Sequence, residues 1–227
     1  MDAYADGRTV SPRRRAKARL LARLIERLCP EGAIRLADLG CADGAIPVAL
    51  LASPLGSRVT EAVGVTLLDY NDLPEKPAFG NPRFRRLVAD LALPLAETCP
   101  ELAPASYDLV TATSLLQYME APALALENAM HLLRPGGHLV ATVPARWIVR
   151  ARARRPWRRN TRILHVQSLR AWREAVRASG FEMMRAFRAQ LGGFAFAPLR
   201  ALEELLERAG ALRLVGTNLV IIARKPG

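Results

Sequence analysis

AIRLADLGCADGAIPVALLA, residues 33–52, passes from a short apolar run through a glycine-bearing turn into a second apolar stretch with the spacing of a helix. The run closes on Asp38, and Gly40 and Gly44 frame the turn. Neither glycine carries a Cβ, so Gly40 permits a tight turn and Gly44 permits close approach of a ligand or of the next helix. The reading is strand, glycine turn, helix. In an open α/β sheet such a turn stands beyond the carboxyl end of the first strand, where ligands bind.

The alternation continues downstream. AVGVTLL ends at Asp69, FRRLVAD ends at Asp90 and YDLVTA leads to Thr113, each a short apolar or β-branched run. Residues 121–133 predict a helix, RPGG a turn with proline and glycine where a type II turn requires them, and HLVATVP a further strand. Ser168 caps a helix over LRAWREAVRASG, FEMMRAF follows as a strand, and a last helix near 198–209 leads into RLVGTNLVIIARK. Seven strands interleaved with helices predict a doubly wound α/β sheet. The third glycine falls at the wrong spacing for the GxGxxG of dinucleotide sites, while Asp69 and Asp90 close the next two strands.

Upstream, Ser11 and Pro12 form a helix start, a side-chain cap followed by proline at the first helical position. Leu20, Leu21, Leu24, Ile25 and Leu28 then recur at helical spacing opposite a face of arginines until Pro30 and Gly32. Residues 1–32 are expected to form an amphipathic helical extension, and residues 33–227 the main domain.

The 227 residues are 51% hydrophobic and 24% charged, which suits one globular domain. No run approaches the roughly 20 apolar residues of a membrane span, and MDAYADGRTV lacks the layout of a secretory signal, so the expected location is the cytoplasm. Cys29, Cys41 and Cys99 form no CxxC pair, so neither a disulfide framework nor a metal site is expected. The net charge of +12 is concentrated: residues 8–27 carry +7 and residues 146–162 carry +8, leaving the body at −3.

From about Ile34 to the C-terminus these residues resemble the class I S-adenosylmethionine-dependent methyltransferases. DLGCADG is similar to that family's DxGxGxG motif, with Ala42 in the place of the second glycine. VGVTLLD, VADLA, YDLVTATSLLQY and LLRPGGHLVATVP follow in the family's order, and FEMMRAF with NLVIIARK matches its antiparallel edge. The resemblance implies a Rossmann-like sheet with an antiparallel last strand, and S-adenosylmethionine as cofactor. It places Asp38, Gly40, Cys41 and Gly44 against the methionine end, and Asp69 with Tyr70 at the ribose hydroxyls. Asp90 and Leu91 fall at the adenine, and Thr113 and Ser114 at the sulfonium. NDLP offers Asp72 as an alternative to Asp69.

Methyl transfer from a sulfonium is an in-line displacement whose leaving group comes with the cofactor, so position and a dry site are the protein's main contributions. The loop TSLLQYM lacks the NPPY-type motif of amine methyltransferases, the paired glutamates of arginine methyltransferases and the Pro-Cys nucleophile of cytosine enzymes. It resembles the loop of small-molecule methyltransferases of the ubiquinone and natural-product type, which implies a small-molecule acceptor methylated at oxygen. His165, in HVQSL, is the candidate base, since an imidazole can take a hydroxyl proton near neutral pH; Tyr118 is the second candidate catalytic residue. Residues 145–166 are expected to form a basic lid-like insertion. Its arginines, with Trp147 and Trp157 among them, suit an anionic acceptor. RNA is the alternative partner, and attachment of a non-catalytic cofactor-binding protein to an anionic surface is a third reading.

Overall fold

The computed structural model describes residues 11–29, 31–69, 80–153, 163–189, 205 and 216–227. Helix α1 spans Pro12–Leu28, with Ser11 as its N-cap accepting a hydrogen bond from the Arg14 backbone N–H. Strand β1 (Ile34–Leu39) leads through the glycine turn into α2 (Ala45–Leu51). After β2 (Val59–Thr66) and β3 (Phe84–Val88) come the single turn α3 (Leu95–Thr98) and β4 (Tyr107–Thr113). Helix α4 (Pro122–Leu132) runs into β5 (Leu133–Pro144), followed by α5 (Arg146–Ala153). Helix α6 (Leu169–Ala178), β6 (Glu182–Ala189) and β7 (Asn218–Arg224) complete the chain.

The strands form one seven-stranded sheet in the order β3-β2-β1-β4-β5-β7-β6. Strands β1 to β5 pair in parallel, while β7 runs antiparallel to both β5 and β6. Reversal of strand order beside β1 creates the switch point where an open α/β sheet takes its ligand. The central strands are apolar on both faces, as parallel strands covered by two helix layers must be. One face buries Leu39, Val65, Val110 and Val143 with Leu126 of α4 and Trp172 of α6. The other buries Leu36, Leu109, Val140 and Val220 with Leu21 and Ile25 of α1. Helix α1 thus packs directly on the central strands.

Two elements differ from their sequence reading. AVGVTLL reads as a strand through Leu68, yet β2 ends at Thr66, which is its last residue paired with β3; Leu67 and Leu68 lie beyond it and are exposed. RPGG reads as a turn preceding β5, but the strand already begins at Leu133. Tyr107 pairs with Leu133 and Leu109 with His138, so the turn bulges out of a continuing ladder. The helix expected near 198–209 lies, apart from Leu205, outside the described residues.

Candidate active site

Beyond the carboxyl end of β1, the turn crosses back over β2: the backbone N–H groups of Gly40 and Cys41 both donate to the Val65 carbonyl, at 2.9 and 3.0 Å. Gly40, Ala42 and Gly44 all have positive φ, at +72°, +52° and +80°. Ala42 therefore holds a left-handed conformation that glycine adopts freely and alanine adopts at a cost of roughly 1–2 kcal/mol, which explains why the related motif has glycine there. Asp43 bridges the turn to its surroundings. One carboxylate oxygen accepts from the Ala45 N–H at 3.2 Å, and the other forms an ion pair with Arg14 of α1. The Cys41 side chain packs toward Gly64 of β2, where burial pushes its thiol pKa up. It faces into the protein, so only its backbone is available on the turn's surface.

Asp38 occupies the same face of β1 as Leu36 and is 1% exposed. Its Oδ1 accepts from the Thr111 hydroxyl at 2.6 Å, while Oδ2 has no hydrogen-bond partner among the described residues. Loss of water pushes the Asp38 pKa up to about 7, against the opposing influence of the Thr111 hydrogen bond and the nearby Lys17 charge. A buried acceptor without a donor costs about 1–3 kcal/mol. Lys17 reaches this region from α1, its ammonium donating to the Ser114 hydroxyl at 2.7 Å. Ser114, just past Thr113 at the end of β4, has φ +58° and donates its own N–H to the Thr142 carbonyl at 2.7 Å.

The segment after β4 turns at residues 116–118 and is joined by the chain preceding α6. The backbone N–H groups of Leu164 and His165 both donate to the Gln117 carbonyl, at 2.8 and 3.2 Å. His165 Nε2 lies 3.1 Å from the Glu120 carbonyl oxygen. A carbonyl only accepts, so Nε2 carries the proton and Nδ1 holds the basic lone pair. Tyr118, 45% exposed, stands on the same turn, and Leu164 and Val166 flank His165 with exposed apolar side chains.

The remaining expected residues are spread along the strand ends. Asp69 lies three residues past β2 and is partly buried. Asp90, exposed, accepts from the Ala92 N–H at 2.9 Å, and its neighbour Leu91 is buried in the core. Tyr70, Asp72 and residues 154–162 of the basic insertion lie outside the described residues. Sequence reading misses Lys17, Thr111 and Gln117. Lys17 does carry a local sign: it falls on the apolar stripe with Leu21, Leu24 and Leu28 rather than among the arginines. Thr111 and Gln117 have none, since each acts through a partner that only the fold brings near. Among the described residues no cluster of three or more metal-ligating side chains exists, and no helix is long and apolar enough to cross a membrane.

The family described as "Methyltransferase domain" matches residues 12–211, and the chain belongs to it. The solved structure of an S-adenosylmethionine-dependent methyltransferase from Mesorhizobium loti is similar, with 23% identity, a TM-score of 0.60, and 89% of this chain and 96% of that one covered. A chain from the complex of the Haloferax volcanii Trm112 methyltransferase activator with a methyltransferase matches at 20% identity and TM-score 0.62, covering 96% and 100%. The [4+2]-cyclase SpnF matches at 20% identity and TM-score 0.59, covering 93% and 81%. These likenesses are of fold. No curated protein sequence matches. The chain thus belongs to a methyltransferase family, on a fold shared with S-adenosylmethionine-dependent methyltransferases, and S-adenosylmethionine is the cofactor that the sequence resemblance implies.

The residues present fit that cofactor. Its methionine end bears an ammonium, and Asp38 Oδ2 is a buried acceptor with no donor among the described residues. The left-handed backbone at Gly40, Ala42 and Gly44 turns the chain sharply between β1 and α2, beside that acceptor.

Proposed function

We propose that the protein methylates a hydroxyl group of a small-molecule acceptor. The observation that carries this reading is the placement of His165, tied through Gln117 and Glu120 to the loop that leaves β4 beside Ser114. In this reading Asp38, Gly40, Cys41, Gly44, Thr113 and Ser114 hold the methionine end of the cofactor. Asp69 with Tyr70 takes the ribose hydroxyls, and Asp90 with Leu91 takes the adenine. Cys41 contributes through its backbone alone.

When bound, the cofactor supplies a methyl group on a sulfonium and a neutral thioether leaving group. The chain does the rest. His165 Nδ1 takes the hydroxyl proton as the acceptor oxygen forms its bond to carbon, while the Glu120 carbonyl keeps the imidazole in the required tautomer. Tyr118, Leu164 and Val166 offer apolar surface against which the body of the acceptor packs and water is excluded. The arginines of residues 146–162 recognise an anionic group on that acceptor; Arg146 and Arg150, one turn apart on α5, are both exposed.

Labelled S-adenosylmethionine offered with a library of phenols, hydroxy acids and other hydroxylated metabolites tests the reading. Label is expected in an ether or ester of a small molecule. Label entering RNA instead, or only amines, overturns it.

A further inference from the structure

Lys17 is buried on the apolar stripe of a helix otherwise studded with exposed arginines. It is 9% exposed, beside the fully buried Leu21 and Ile25. Burying an ammonium is unfavourable unless it is paired, and packing of α1 on the sheet requires no charge at this position. The Lys17 ammonium points to the carboxyl ends of β1 and β4. It donates to Ser114 Oγ at 2.7 Å and lies near enough to Asp38 for the two charges to interact. Asp38 Oδ2 has no partner among the described residues. The Arg14–Asp43 ion pair, one helical turn before Lys17, fastens α1 to the glycine turn and so fixes where Lys17 can reach.

We infer that Lys17 binds the α-carboxylate of the cofactor's methionine moiety, while Asp38 Oδ2 binds its α-ammonium, so that α1 forms one wall of the cofactor site. The inference rests on S-adenosylmethionine being the cofactor. An amino-acid zwitterion calls for one cation and one anion placed side by side in a site sheltered from water, and Lys17 with Asp38 supplies that pair. An ammonium has three donors, so Lys17 keeps its bond to Ser114 Oγ while donating to a carboxylate. Ser114, accepting from Lys17, retains its own hydroxyl proton for the second carboxylate oxygen. A planar guanidinium at position 17 has no such freedom of direction, which accounts for a lone lysine within an arginine-rich helix.

Calorimetry with three probes tests this: S-adenosylhomocysteine, its decarboxylated analogue, and 5′-methylthioadenosine, which lacks the amino-acid group. Lys17→Met should weaken S-adenosylhomocysteine at least about tenfold, as removal of one charge-assisted hydrogen bond requires, and leave the other two within about twofold. Asp38→Asn should weaken both ammonium-bearing probes and spare methylthioadenosine. If Lys17→Met fails to fold, Lys17→Gln carries the same expectation. An equal loss on all three probes, which marks displacement of α1, overturns the inference, as does unchanged S-adenosylhomocysteine affinity. Wild-type protein that binds none of the probes overturns the cofactor assignment itself.

Discussion

The Nζ of Lys17 and the Oγ of Ser114 are 2.7 Å apart and 97 positions apart in sequence. This bond joins the first helix to the end of the fourth strand, close to Asp38 of the first. The carboxyl end of the sheet at its switch point is therefore built from three distant pieces of chain: α1, the glycine turn and the exit of β4. Loosening of α1 should be felt at the turn, because Arg14 and Asp43 form a second link that ties the same helix to it.

Gly40 offers a direct test of the turn. A Cβ there would meet Leu115 Cδ1 at 2.8 Å, and the φ of +72° disfavours any L side chain. Gly40→Val should therefore lose cofactor binding and lower the melting temperature, through about 1–2 kcal/mol of backbone strain and about 1–3 kcal/mol of overpacking. Gly40→Ala is milder, and adding Leu115→Ala should relieve its steric part while the backbone part stays. Thermal melts of the three variants separate the two contributions; full recovery in the double variant would show that the backbone conformation adds no strain.

Asp38 makes both stability and binding depend on pH. Its carboxyl is raised from an ordinary 3.8 to about 7 in the fold, so between those values the folded state keeps a proton that the unfolded chain releases. The stability this contributes is complete below about pH 4 and is lost as pH rises through about 7. Asp38→Asn should flatten this part of the ligand-free stability profile. Binding a cationic ammonium at Oδ2 favours the carboxylate, so S-adenosylhomocysteine should bind more tightly as pH rises through about 7, with release of a proton. Calorimetry near pH 6.5 in buffers of different ionisation enthalpy reads that proton directly; proton uptake on binding would contradict the arrangement.

Much of this architecture is legible locally. The Ser11 cap with Pro12 and the apolar spacing of Leu21, Leu24 and Leu28 specify α1 almost to the residue. AIRLADLGCADG marks β1 and its turn because periodicity and glycine placement are short-range signals. What escapes is long-range. Thr111 meets Asp38 across 73 positions, a bond that exists only because β1 and β4 are neighbours in the sheet. The end of β2 escapes for a related reason: Leu67 and Leu68 continue an apolar run, but pairing with β3 stops at Thr66, so composition alone extends the strand too far. Tyr118 and His165 are legible as residue types, whereas the pairing of their segments through the Gln117 carbonyl is not.

The arginines should act on the acceptor and not on the cofactor. Replacing Arg154, Arg155, Arg158 and Arg159 with Gln removes half of the +8 carried by residues 146–162. An anionic small-molecule acceptor should then show a raised KM, with S-adenosylhomocysteine affinity unchanged within about twofold. If RNA is the acceptor, the same variant should instead lower the salt slope of RNA binding by roughly 0.7–0.9 for each phosphate no longer neutralised. Unchanged kinetics together with unchanged RNA binding would remove these arginines from acceptor recognition.

His165 can be separated into its structural and its basic halves. Glutamine reproduces the donor that His165 Nε2 presents to the Glu120 carbonyl at 3.1 Å, and offers no base in place of Nδ1. His165→Gln should thus keep the fold and the cofactor affinity while kcat falls by about 10²–10⁴. Asparagine, whose shorter amide falls back from Glu120, should lose stability as well as rate. If His165→Gln turns over at the wild-type rate, the imidazole serves only to tie the segment before α6 to the loop after β4, and the base lies elsewhere.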